Sequence, residues 1–240
     1  MSEPADRPAP RSPKGERTRA RILASAAELF SKSGFHAVSL RDIAAHAGMT
    51  HAGLLHHFSG KEALLIELLG RRDEDDAAVL LGTDPATSPR RFLEGIVGIV
   101  DRNMHTPALV GMYAKISAEA ADPDHPAHRY FTRRYQILRG LLGTAFGALA
   151  ALGEVHPDVE PLLTAGQLLA LMDGLQTQWL LEPDAVDMRA SVVDFLTRVG
   201  LDLSTAPLFP VGLADQDGVP AGPEPTAETR DSPKNADARP

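Results

Sequence analysis

The chain has 240 residues, 43% of them apolar, and no cysteine. It is long enough to bury a sizeable core, and it does so without disulfides, thiolate zinc ligands or a cysteine nucleophile. The net charge of −8 would sit badly on phosphates if it were evenly spread, but it is not. Residues 1–61 carry nine Lys/Arg against five Asp/Glu, residues 62–240 carry fifteen against twenty-seven, and five of the nine histidines fall in the first part. A basic front and an acidic body suit a protein that offers one end to nucleic acid. No apolar run approaches the roughly 20 residues of a membrane span, and a signal-peptide core is lacking, so a cytoplasmic protein with no membrane partner is expected.

Residues 1–13 are rich in Pro, Arg and Ala and have little to bury, which predicts a disordered arm. A first helix runs from Lys14 to Ser33, with Ile22, Ala26, Leu29 and Phe30 as its inward stripe and Arg17, Arg19 and Arg21 near its start, available to phosphate. From Ser39 to Lys61 the pattern is two short helices around a glycine-centred turn. Ser39 caps the first, with Asp42 closing the box; Leu40, Ile43, Ala44 and Ala47 form its apolar face; Gly48 falls where positive φ is needed. Thr50 caps the second helix, which is expected to anchor through Leu54, Leu55 and Phe58, and His51, Ala52, Gly53, His56 and His57 include outward positions.

Ser59-Gly60-Lys61-Glu62 reads as a capping box that opens a fourth helix to Leu81. In that helix the run Arg71-Arg72-Asp73-Glu74-Asp75-Asp76 reads as a solvated face. Ser88-Pro89 and Thr106-Pro107 each spell a cap followed by a proline at the first helical position, starting helices to about His105 and Ala121. Further helices are predicted over Pro126–Leu152, Val159–Leu181 and Val186–Leu201, and from Ser204 the composition predicts a disordered tail. The absence of strand patterns gives an all-α fold of about nine helices.

The residues from Glu16 to Leu65 resemble the DNA-binding domain of the TetR family of transcriptional regulators. The resemblance rests on Leu29-Phe30, Gly34-Phe35, Ser39-Leu40-Arg41-Asp42-Ile43-Ala44, Ala47-Gly48-Met49-Thr50, Leu54-Leu55-His56-His57-Phe58 and Lys61-Glu62-Ala63-Leu64. The rest is similar in layout to that family's ligand-binding and dimerisation domain. Ala120-Ala121-Asp122-Pro123 to Tyr130 and Asp173-Gly174-Leu175 look like the subgroup typified by the choline-responsive regulator. The implied organisation is an arm at 1–13, a three-helix helix-turn-helix domain at 14–60, a helical-bundle ligand-binding and dimerisation domain at 61–203 and a tail at 204–240.

The implied function is a ligand-responsive homodimeric repressor that leaves a pseudopalindromic double-stranded DNA operator when a small-molecule effector binds, with no catalytic residue, cofactor or metal. The alternative is an all-helical small-molecule-binding protein with a weak or altered DNA head. Ser39, Arg41, Thr50 and Lys61 are expected on phosphates, His51, Ala52 and Gly53 on base edges, and His56 on either. Most members have lysine, a small residue, threonine and tyrosine where this chain has His51, Ala52, Gly53 and Leu55, which predicts greater reliance on backbone approach and DNA shape. Effector candidates are Met104, His105, Met112, Tyr113, Phe131, Tyr135, Met172, Gln176 and Trp179, with Glu119 and Asp173 favouring a cationic ligand if they face inward. Gly166, Ala170 and Gly174, with Val192, Leu196 and Val199, are the dimer candidates.

Enzyme motifs such as Gly-x-Ser-x-Gly, a Gly-Lys-Thr/Ser phosphate loop and His-Glu-x-x-His are absent. His56 and His57 point about 100° apart on a helix and chelate poorly together. Asp122, Asp124, His125 and His128 read as turn and capping chemistry.

Overall fold

The computed structural model describes residues 13–207; the expected arm and most of the expected tail lie outside them. The described residues form nine α-helices and no strand. Four make the head and its link to the body: α1 (Pro13–Ala37), α2 (Leu40–His46), α3 (His51–His57) and α4 (Lys61–Val79). The body adds α5 (Pro89–Asn103), α6 (Pro107–Glu119), α7 (His128–Leu152), α8 (Pro161–Leu181) and α9 (Met188–Arg198).

Two apolar cores follow this division. One gathers Ile22, Ala26, Phe30, Ile43, Leu54, Phe58, Leu64, Leu65 and Leu69 of the head, then continues into α6 and α7 through Met112, Ile116 and Phe131. The other is built by α5, α7, α8 and α9, with Leu93, Val97, Phe146, Leu168, Trp179, Val192 and Leu196 at its centre. Because the head core runs into α6 and α7, a shift of either helix deforms the packing beneath α1.

Helix starts obey the sequence in part. Pro89, Pro107 and Pro161 stand at helix starts, where a missing N–H costs nothing. The Ser88 and Thr106 side chains, however, do not cap; Ser88 Oγ instead accepts from Asp84 N at 2.9 Å, inside the preceding turn. Nor does the Ser59 box form. Gly60 is the cap residue of α4 and no side chain serves it.

The charged run in α4 is the main correction. Arg72 and Asp76 are buried. Asp76 pairs with Arg102 of α5 and, at 3.1 Å, with Arg134 of α7, and Arg134 also meets Asp73. Tyr130 donates to Asp73 at 2.6 Å. Burial lowers the Arg134 pKa to about 10. Periodicity along α4 alone could not reveal partners that arrive from α5 and α7.

By length and composition α7 could cross a membrane, although Arg133, Arg134 and Arg139 interrupt its apolar stretch. Here it packs Phe131, Leu142, Ala145, Phe146 and Leu149 into the two cores and leaves Ile137 and Leu152 exposed.

Candidate nucleic-acid interface

The two short helices of the head are set by their caps. Ser39 Oγ accepts from Asp42 N at 3.2 Å while Ser39 N donates to Asp42 Oδ2 at 2.9 Å, so α2 begins with a complete reciprocal box. The Ser39 hydroxyl, which donates to Asp42 Oδ2 at 2.6 Å, and then the Ser39 N–H hold the Asp42 carboxyl below its usual pKa. Gly48 takes φ 66°, which turns the chain out of α2, and Thr50 Oγ1 accepts from Gly53 N at 3.1 Å to start α3. Ile43, Ala44, Leu54 and Phe58 bury the inner faces.

This leaves His51, Ala52, Leu55 and His56 on the exposed side of α3. Leu55 is 43% exposed, so the expectation that it anchors the core is corrected: Leu54 and Phe58 suffice, and Leu55 follows His51 by one helical turn on the outer face. Gly53 is half-buried; a Cβ there would stand 3.2 Å from Thr50 Oγ1 and 3.3 Å from the Met49 methyl. An open groove of about 510 Å³ beside α3 is lined by Ser39, Arg41, His51 and Lys61 among others, and so gathers four of the eight residues expected on DNA.

Two cations of the head are spent internally. Lys61 Nζ donates to Phe35 O at 2.8 Å and Val38 O at 2.9 Å and lies 4.2 Å from the Phe35 ring centre, which fixes the α1–α2 connection. Burial lowers its pKa. Arg19 is buried, ion-paired with Glu67 of α4 and bonded to His57 O, with its guanidinium 4.1 Å from the Phe58 ring centre. It is a brace between α1, α3 and α4, whereas Arg17 and Arg21 remain exposed.

The effector candidates divide among several places. Met172 and Gln176 line a cavity of about 10 Å³ with Val100, Asn103, Leu175, Met188 and Val192, room for a single water. Tyr113, Phe131 and Tyr135 form an aromatic chain, with centroids 5.0 Å and 6.5 Å apart, and Arg72 covers the Tyr113 ring at 4.0 Å. Met112 is fully buried against the head core, Trp179 is in the body core, Met104 packs at its edge and His105 is exposed. Asp173 accepts from the Tyr135 hydroxyl at 2.6 Å, and burial raises its pKa. Glu119 points to the head instead, taking Phe35 N–H at 2.9 Å, so it does not share a pocket with Asp173 as a cationic site would need.

Of the dimer candidates, Val192 and Leu196 are completely buried in the chain's own core and offer no surface, which corrects that expectation. Val199 is half-buried. Gly166, Ala170 and Gly174 do lie on an outer face of α8, and a Cβ at either glycine would meet nothing within 4 Å.

Comparison with known proteins agrees with this geometry. The family model described as bacterial regulatory proteins, tetR family, matches residues 22–68, and the one described as BetI-type transcriptional repressor, C-terminal, matches residues 89–200. The chain belongs to the TetR family. It is a helix-turn-helix transcriptional regulator, and its relatives are regulators, not enzymes. Among them, UidR of Escherichia coli strain K12 is 27% identical over 161 residues, covering 66% of this chain and 79% of UidR. TtgR of Pseudomonas putida is 26% identical over 193 residues, covering 78% and 91%. A crystal structure of a Saccharomonospora viridis regulator in complex with choline superposes with a TM-score of 0.56 at 25% identity, covering 76% of this chain and 96% of that one.

Proposed function

We propose that this TetR-family protein is a homodimeric repressor whose two α3 helices read a pseudopalindromic operator, and that a small molecule bound in the body releases it. The observation that carries the reading is the outer face of α3, where His51, Ala52, Leu55 and His56 stand exposed on a helix fixed by the Thr50 cap and the buried Leu54 and Phe58. Such a helix fits the major groove, with the caps of α2 and α3 offering N–H groups to phosphates and Arg41 beside them.

Pairing of two chains is supported by α8. Leu163, Gly166, Ala170, Gly174, Thr177 and Leu181 recur at helical spacing on a face that the monomer leaves uncovered; Leu163 is 59% and Leu181 77% exposed. A partner crossing there buries both leucines and lets the helix axes approach at the glycines. A two-fold dimer presents two α3 helices about 34 Å apart, one DNA turn.

Signal transfer is assigned to α4. Its first turn grips the head through Lys61, its middle through Arg19 and Glu67, and its last turns lie in the Arg102–Asp76–Arg134 network of the body. An effector that moves α5 or α7 therefore has a rigid lever to the recognition helices.

The test is a titration of the purified protein onto DNA upstream of its own coding region, with random DNA as competitor and salt varied. A selective, salt-sensitive shift with two chains per site is expected. Equal affinity for random DNA would overturn the reading.

A further inference from the structure

His36, at the end of α1, Glu119, at the end of α6, and His125, in the α6–α7 turn, converge where the head meets the body; their ligand atoms all lie within 4.8 Å of one another. We propose that these three side chains bind a divalent transition-metal ion, zinc by the chemistry of the donor set, and that the ion clasps the head to the body.

Three features support it. The first is His125 itself. Its side chain is fully buried, yet Nε2 has no hydrogen-bond partner; the closest charge is Glu119 Oε2 at 3.7 Å. A buried ring nitrogen left without a partner is unusual, and this one is aimed at the other two donors. The second is Glu119, which is pre-positioned. Phe35 N–H holds Oε2 at 2.9 Å, and a Cβ at Gly34 would collide with Oε1, so the carboxylate reaches this spot because residue 34 is glycine at φ 78°. A carboxylate ligand steadied by a backbone N–H is common at metal centres. The third is the donor set: two imidazoles and one carboxylate with a fourth position open to water is a recognised zinc arrangement.

A bland alternative is aromatic packing alone. Phe35, His36 and His125 do stack edge to face, with the histidine centroids 5.3 Å apart at 79°. Packing explains the ring positions and leaves Nε2 facing the Glu119 carboxylate at 3.7 Å, beyond hydrogen-bond reach. Closure onto an ion requires donor atoms about 3.3 Å apart for bonds of about 2.0 Å. His36 is exposed and can rotate to supply that movement.

Two features oppose the ion. Ala127 N–H donates to His125 Nδ1 at 3.2 Å, which places the ring proton on Nε2 in the metal-free protein. On ligation that proton leaves Nε2, Nδ1 becomes the protonated nitrogen, and the Ala127 bond is given up for a metal–nitrogen bond. Lys61 is the second, since its ammonium already interacts with Glu119.

The site does not depend on the repressor reading. It is tested with the full chain, stripped by chelator and titrated with zinc chloride by calorimetry and with cobalt by visible absorption. One ion per chain is expected, with the intense visible bands of a four- or five-coordinate cobalt centre and a zinc-dependent rise in the thermal midpoint. His36→Ala, at an exposed ring, and Glu119→Gln should each weaken binding at least tenfold, while His56→Ala should leave it unchanged. His125→Asn should abolish it; if that variant fails to fold, His36→Ala decides. The proposal is overturned by absence of saturable binding, or by binding that survives His36→Ala and Glu119→Gln.

Discussion

In the head, polar side chains that set the recognition helices find partners three residues away: Ser39 with Asp42, and Thr50 with the N–H of Gly53. In the body, Asp76 is satisfied by Arg102 and Arg134, 26 and 58 positions distant, and Asp73 by Tyr130, 57 positions distant. The caps of α2 and α3 thus spend polarity on local geometry, while Arg19 and Lys61 brace the head over a longer range and the outer residues of α3 stay exposed. The body spends charge on joining helices, and α4 belongs to both. A lever needs firm attachment at each end, and arginine–carboxylate pairs hold α4 at both: Arg19–Glu67 at the head and Arg102–Asp76–Arg134 in the body.

The strongest way to break this contrast is to cut the body's network. Arg134→Leu leaves Asp73 and Asp76 short of a buried cation and should cost about 3–5 kcal/mol in urea unfolding. If stability is unchanged, the network is ornamental and α4 has no fixed hold on the body. Next in size is the brace at the head. Arg19→Ala removes a charged hydrogen-bond set and the cover on Phe58, for about 2 kcal/mol. Arg21→Ala, at an exposed position on the same helix, should leave stability alone and weaken DNA binding uniformly across sequences. Equal effects from the two arginines would erase the distinction between brace and phosphate contact.

That difference in range also explains what could be read from the sequence. Helix number, the Ser39 box, the Gly48 turn and the Thr50 cap depend on neighbours within one turn, and each lies where its pattern puts it. Arg19 looked like its exposed neighbours Arg17 and Arg21, because only the fold reveals Glu67 and Phe58 beside it. Arg72 and Asp76 failed for the same reason. His125 was legible as a turn residue, and its bond to Ala127 fits that role. Its approach to His36 and Glu119 needed the α1–α6 junction, which no spacing along the chain encodes.

A smaller effect tests the cap. Ser39→Ala should cost about 1 kcal/mol. Asp42, whose pKa is lowered in the folded state, stabilises the fold above its ordinary value of 3.8, and the contribution is lost as pH falls through the lowered folded value. The stability gap between wild type and Asp42→Asn should therefore be present at neutral pH and vanish in acid. A gap that persists in acid would assign the effect to something other than the carboxylate.

A small change in stability is also expected at Leu55. This residue is one position from Leu54 in sequence and about 100° around the helix from it: Leu54 is fully buried and Leu55 is 43% exposed. Leu54→Ala should cost about 2–5 kcal/mol, as core truncations do. Leu55→Ala should stay within about 0.5 kcal/mol, since little packing is lost. Its consequence belongs to recognition. Leu55 shares its face with His51 and Ala52, at i+4 and i+3, and an apolar side chain in the major groove meets thymine methyl groups. Selectivity for the operator over random DNA should fall in Leu55→Ala while the salt dependence, set by phosphate contacts, stays the same. A destabilisation as large as that of Leu54→Ala would mean that α3 is rotated from the orientation described, and His51 would then lose its place on the reading face as well.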